Sequence, residues 1–389
     1  MFNEAYLTFF LIFISIVTIL VICAFNKRMP LMVKILFPIS IVLQILWYFF
    51  IPKPYDRMFV FLDETGYYAQ LQSLVITDFH QIFDPVFWMK TFGSAHILGP
   101  IYLLILYKLF LTPVNVSIFN IFISKLAVLI WYPIFEEFLD KKKSNIILII
   151  LAFSPIIWVY NACALRDTLL FMLVSISLFF CWKYYSQFKV SYLLWAVVFS
   201  FLIIFTRIYL GAFTLLCCIG IAILRSSKKS RISRFIPVIL TACIMVFSFV
   251  NIYWSTAVQT MSETSVSSIK SIPGVIVATM FGPYIWRINE IIKINDISQA
   301  VMSVEAAFRL ITFPFAIVGI VNILFDRKRA LFGFMLIGNF ILNLIVLGFT
   351  FDEAVWRQIM PVYPVIIMFI INGLFLFRKS KVTIKANEF

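Results

Sequence analysis

From end to end the chain is cut into apolar stretches of about 20 residues, the length a helix needs to cross a hydrocarbon core. Eleven are legible, at 5–25, 31–51, 114–138, 145–161, 168–184, 190–206, 208–224, 235–253, 303–324, 330–349 and 359–377. In lipid every backbone N–H and C=O must be bonded internally, so spans of this kind fold as helices. The composition agrees: 63% of the 389 residues are hydrophobic and 13% charged, against about 45–50% and about 25% in soluble domains. The expected fold is therefore all-α and polytopic, one integral membrane domain over 1–389. The first run, Tyr6 to Phe25, lacks a basic leader and a small-residue cleavage site, and reads as a retained span.

A net charge of +14 raises the question of a nucleic-acid partner, and the placement of the charge answers it. Six short clusters between spans hold 20 of the 32 Lys and Arg, and only 5 of the 18 acids (Glu136, Glu137, Asp140, Asp326 and Glu388) lie beside them. They are Lys27/Arg28/Lys34, Lys141–Lys143, Lys183/Lys189, Arg225–Arg234, Arg327–Arg329 and Arg378–Lys385. This asymmetry follows the positive-inside rule and sets topology. The expected orientation has the N-terminus outside, the C-terminus inside and no nucleic acid bound. The stretch His96–Leu111 is apolar, about 16 residues long, and carries Lys108. Letting it cross would move Lys141–Lys143 outside, so it is expected to lie on the outer face as a re-entrant or interfacial helix.

Two large external loops follow from that topology, 52–113 and 254–302. From the non-cytoplasmic charges a short set is singled out: Asp63, Glu64, Arg166, Asp167, Arg207, Arg287, Glu305, Arg309, Asp352, Glu353 and Arg357. Adjacent carboxylates at a membrane surface suggest chemistry, because an unpaired acid in hydrocarbon is costly. A carboxylate can take a proton from an attacking hydroxyl. Arginine forks match phosphate oxygens and disperse charge on a departing phosphate. Tyr67, Tyr68, Trp88, Tyr284 and Trp286 offer flat faces suited to sugar rings. The six Cys lie in or at the ends of apolar spans and read as small hydrophobes. With only His80 and His96 besides, no zinc spacing or disulfide framework is expected.

The order of these features resembles the GT-C glycosyltransferases, integral membrane enzymes that draw sugars from polyprenyl-phosphate carriers, and the related polysaccharide-cluster membrane polymerases. In that superfamily an acidic motif opens the first external loop; here it is Asp63-Glu64-Thr65-Gly66-Tyr67-Tyr68. A juxtamembrane helix follows, as His96–Leu111 does. A second external acid comes after a Ser-Pro-containing span, matched by Ser154-Pro155 and then Arg166-Asp167. Near the C-terminus an Arg precedes spaced prolines, matched by Arg357, Pro361 and Pro364, with Gly373 beyond. Two spans precede the acidic loop where many members have one, and the large C-terminal soluble domain of some relatives has no counterpart here.

The resemblance implies an inverting glycosyltransferase at the outer face of a bacterial cytoplasmic membrane. Asp63 and Glu64 would be catalytic. Arg166, Asp167, Arg207, Arg287, Arg357, Tyr67 and Tyr68 would bind phosphate and sugar. The partners would be an undecaprenyl-(di)phosphate-linked donor, a cell-surface glycan acceptor and membrane lipid. No metal ligand set is assigned; a divalent cation on the carboxylates is compatible with oxygen ligands, and many members work without one. The alternatives are a polymerase joining lipid-linked repeat units of O-antigen or capsule, and a lipid-linked sugar flippase. Each site residue also has an ordinary use. Asp63 and Glu64 can cap a helix starting near Thr65, Arg166-Asp167 can pair at a span end, and Arg207 can snorkel. Arg287 and Arg357 can anchor an interface.

Overall fold

The computed structural model describes residues 4–51, 62–74, 81, 84–92, 97–163, 165–226, 297–326, 330–350 and 356–386. All regular structure among them is helical. The helices are α1 (Glu4–Phe25), α2 (Leu31–Phe50), α3 (Leu62–Ser73), α4 (Pro85–Phe92), α5 (Leu98–Phe110), α6 (Pro113–Phe138), α7 (Lys141–Ala152) and α8 (Pro155–Asn161). There follow α9 (Asp167–Gln187), α10 (Val190–Thr206), α11 (Ile208–Ser226), α12 (Ile297–Phe325), α13 (Ala330–Thr350), a 3-10 helix (Trp356–Val362) and α14 (Tyr363–Ala386). Among the described residues six helices are long and apolar enough to cross a membrane, seven when α7 and α8 are one bent span. The described residues thus form an all-helical protein with the helices of an integral membrane protein. Residues 235–253 and most of the second loop lie outside the described residues.

Burial sorts the helices by position. Only 17% of the α1 window is buried, against 83% for 359–376 in α14. Phe9, Phe13 and Phe25 stand well exposed on α1, as membrane-facing side chains do, while Trp131, Phe135 and Phe171 are fully enclosed. The centre is built from α6, α9 and α14, with α1 and α2 outside them. Where α12 runs along α14, a Cβ on Gly319 would lie 2.0 Å from the Phe369 carbonyl oxygen, and one on Gly373 would lie 1.9 Å from that of Phe315. Small residues permit this backbone approach, a recurrent way for helices to associate in lipid.

The described basic clusters gather at one end of the bundle. Arg28 pairs with Glu136 at 3.2 Å, joining the α1–α2 turn to the end of α6. Asp140 caps α7 by accepting from the Lys143 amide, and Lys143 lies over the ring of Phe375. Phe332, at the start of α13, stacks on both Phe138 and Tyr185, which places the Lys183–Lys189 turn at the same end. For these described clusters the charge asymmetry of the sequence is therefore a spatial asymmetry.

The stretch 145–161, expected as one continuous span, is instead bent by 44° between α7 and α8. Ser154 is the residue before α8 and Pro155 its first, and proline cannot donate into a continuing ladder. The break exposes carbonyls on one side and N–H groups on the other. A lysine amine and a glutamate carboxyl from distant parts of the chain meet them. Lys125, fully buried on α6, donates to the Ala152 carbonyl at 2.6 Å. Glu305, buried on α12, accepts from Ser154 Oγ at 2.6 Å and from the Ile156 amide at 2.5 Å.

Candidate functional site

At the end of the bundle opposite the basic clusters, α9 begins at Asp167 and α10 gives way to α11 at Arg207. An acid in the first turn of a helix is stabilised by the N–H groups around it. Arg207 is the residue after α10, in extended backbone at φ −154°, ψ 109°, and its side chain turns back across the bundle. Its Nη2 donates to Asp167 Oδ1 at 3.0 Å, with the two side chains 6% and 4% exposed. The pair is enclosed, which distinguishes it from an exposed interfacial arginine.

Arg166 precedes Asp167 and is half-buried. Its guanidinium lies 5.8 Å from the centre of the Tyr67 ring, brought in by α3. A cation over an aromatic face gains of order 0.5–2 kcal/mol. On its other side Arg166 lies against α5, so closely that a Cβ on Gly99 would meet Arg166 Cδ at 2.5 Å. Tyr67 also packs on a small apolar cluster of Ile51, Cys163 and Leu165, which joins the end of α2 to the turn before α9.

Asn120, fully buried on α6, holds that turn in place. Its Nδ2 donates to the carbonyls of Cys163 at 2.7 Å and Leu165 at 3.2 Å. Its Oδ1 accepts from the Tyr102 hydroxyl of α5 at 2.5 Å. An amide oxygen carries no hydrogen, so the hydroxyl is the donor in this bond. The α5 helix, at 13 residues, is shorter than a crossing requires. It is the helix expected from His96–Leu111.

The acidic motif lies on α3, whose backbone includes Asp63 and Glu64 in its first turn. The side chains of Asp63 and Glu64 lie outside what is described, as does that of Arg357, and Arg287 lies outside the described residues altogether. Tyr68 sits with its ring 5.1 Å from that of Tyr107 on α5, so α3 and α5 meet at this end. The 3-10 helix that carries Arg357 packs on α8 and α9, with Asn161 Nδ2 3.0 Å from Met360 Sδ. Of the residues proposed from sequence, side-chain geometry pairs Arg166 with Tyr67 and Asp167 with Arg207, the two pairs adjoin through the chain at 166 and 167, and Tyr68 lies on the same helix as Tyr67.

Sequence reasoning did not single out Lys125, Asn120, Tyr102 or Gly99. A lysine within an apolar run is the kind of residue that signals a buried role, and it was legible at 125. Glu305 and Arg309 stood among the outer charges but were given no part in the site. No group of three or more His, Cys, Asp or Glu comes together among the described residues. The five described cysteines are buried thiols. Comparison with family models, with curated proteins and with solved structures gives no match to this chain.

Proposed function

We propose that the protein is a membrane glycosyltransferase that moves a sugar from a polyprenyl-(di)phosphate carrier to a cell-surface glycan, at the outer face of a bacterial cytoplasmic membrane. The observation that carries this reading is the placement of two adjoining pairs, Arg166 over Tyr67 and Arg207 on Asp167, at the end away from the basic clusters. The acidic helix α3 reaches that same end through Tyr67. By the positive-inside rule the opposite end is cytoplasmic. On this reading eleven spans cross the bilayer, counting the bent α7–α8 pair as one and including 235–253.

Asp63, with Glu64 beside it, takes the proton from the acceptor hydroxyl. The hydroxyl oxygen attacks the anomeric carbon, and the bond from that carbon to the phosphate oxygen breaks in line, inverting the centre. The leaving phosphate keeps the electron pair, and arginine disperses its charge. Arg166 suits that task because its guanidinium is half-buried against an aromatic face. Arg207 is committed to Asp167, so its part is to fix the start of α9 beneath Arg166. Arg357 and Arg287 complete the phosphate and sugar contacts. A cleft of about 750 Å³, lined by Thr8, Phe9, Phe49, Tyr68 and Thr112 among others, opens beside exposed phenylalanines of α1 and suits a lipid substrate arriving sideways from the bilayer.

A deletion strain complemented with wild type or Asp63→Asn tests this. The expected result is that the variant inserts at normal levels while surface glycan lacks one sugar. Normal glycan from Asp63→Asn removes Asp63 from the mechanism. Single capped repeat units in the deletion strain would instead assign the polymerase reaction. Lipid-linked sugar that accumulates untranslocated, with all glycosidic bonds formed, would assign a flippase.

A further inference from the structure

We infer that Glu305 is a positioning residue that couples the Asn161–Asp167 turn to the 3-10 helix Trp356–Val362, setting the two arginine-bearing segments relative to each other. Glu305 is 5% exposed, and its carboxylate gathers partners from two directions. From one side come Ser154 Oγ and the Ile156 amide, the first groups of α8. From the other side comes Tyr363, whose hydroxyl lies within electrostatic reach of both Glu305 and Ser154. Arg309, one turn further along α12, places its guanidinium 5.9 Å from the centre of the Tyr363 ring.

The positions of these partners in the chain give the network its consequence. Ser154 and Ile156 begin the short helix that ends at Asn161, just before Arg166 and Asp167. Tyr363 begins α14 directly after the 3-10 helix that holds Arg357. One buried carboxylate thus anchors the entry to one segment and the exit from the other. The segments then touch at Asn161 and Met360. A buried hydrogen-bond network that is fully satisfied fixes a single arrangement, and removing one member leaves the others bare. Glu305 lies below both segments and acts through them, without touching the proposed substrate.

The role of Glu305 in glycosyl transfer rests on the reading above, whereas the coupling itself does not, and the experiment separates them. Amide hydrogen exchange is followed by mass spectrometry on the full-length protein in lipid nanodiscs, comparing wild type, Glu305→Ala, Glu305→Gln and Tyr363→Phe. Locally opened segments exchange faster without global unfolding. Glu305→Ala is expected to speed exchange about tenfold or more in both 156–162 and 356–363, leaving the α9–α10 interior unchanged. Glu305→Gln keeps one acceptor oxygen and gives an intermediate effect. Tyr363→Phe is expected to loosen 356–363 alone. Faster exchange confined to 156–162 in Glu305→Ala, or spread through α9 and α10, overturns the coupling. If Glu305→Ala fails to accumulate, Tyr363→Phe decides: unchanged protection at 356–363 overturns it.

Transfer is then assayed with lipid-linked intermediates extracted from the deletion strain as donor. Glu305→Gln is expected to lower kcat at least tenfold with KM for the donor unchanged. A raised KM with normal kcat overturns the positioning role in the reaction. Absence of transfer by wild type counts against the glycosyltransferase reading and leaves the exchange result to judge the coupling.

Discussion

Lys125 and Trp158 donate to the same acceptor, the carbonyl of Ala152, each at 2.6 Å. Lys125 Nζ also lies 5.4 Å from the centre of the Trp158 ring. The carbonyl belongs to the end of α7, where the break before Pro155 leaves it outside the helical ladder. Because two donors serve one acceptor, either can be lost cheaply. Lys125→Met and Trp158→Phe are each expected to change stability by no more than about 1 kcal/mol, since the remaining donor keeps the carbonyl bonded. The double variant leaves the carbonyl bare and is expected to cost about 2 kcal/mol more than the sum. A thiol-reactive fluorophore checks this in thermal unfolding, reading the buried cysteines as they emerge.

The Asp167–Arg207 pair behaves in the opposite way. Both side chains are enclosed, so removing one partner strands the other charge. Asp167→Asn or Arg207→Gln is expected to destabilise by about 3 kcal/mol, and the double variant by less than either alone. Additive losses in the double-mutant cycle would mean that the two residues act independently. The same thiol-exposure assay supplies the four midpoints.

The span pattern and the charge asymmetry were legible because both are written in contiguous sequence. Apolar length identifies α1, α2, α6, α9, α12 and α14, and short basic clusters mark one end of the bundle. Ser154-Pro155 announced a feature within 145–161, but not how the break is stabilised. Glu305 meets it from 149 residues away, and no local period encodes such a distance. The adjacency of Arg166 and Asp167 suggested a pair, yet the partner of Asp167 is Arg207. Consecutive residues at a helix start project in different directions, so chain neighbours need not be partners. Asn120 was hidden for another reason: one amide does not disturb the apolar average of a 26-residue helix.

Asn120 is where α5, α6 and the turn before α9 are tied together. Tyr102→Phe removes one donor and leaves the Asn120 oxygen bare, for an expected cost of about 1–2 kcal/mol. Asn120→Ala withdraws the partners of two carbonyls and a phenol together, and its expected cost is about 3 kcal/mol. The ordering is the discriminating part. A larger loss from Tyr102→Phe than from Asn120→Ala would show that α5 is held by ring packing and that the amide is incidental.

Gly99 gives a way to move Arg166 without deleting it. A methyl group there would lie 2.5 Å from Arg166 Cδ and 3.4 Å from its Cβ, a separation at which the arginine must shift. The displaced guanidinium would leave its place above Tyr67, and a misplacement of about 1 Å in a reacting constellation can cost about a hundredfold in rate. Stability should suffer less, because the clash is with a partly exposed, flexible side chain that can swing away. Gly99→Ala is therefore expected to lower transfer about tenfold or more while its thermal midpoint stays within about 1 °C of wild type, a shift corresponding to about 1 kcal/mol or less. Arg166→Ala should then lower transfer no more when added to Gly99→Ala than alone, since both act through the same guanidinium. Independent, multiplying losses in that pair would separate Gly99 from Arg166 and give the close approach of α5 a purely structural purpose.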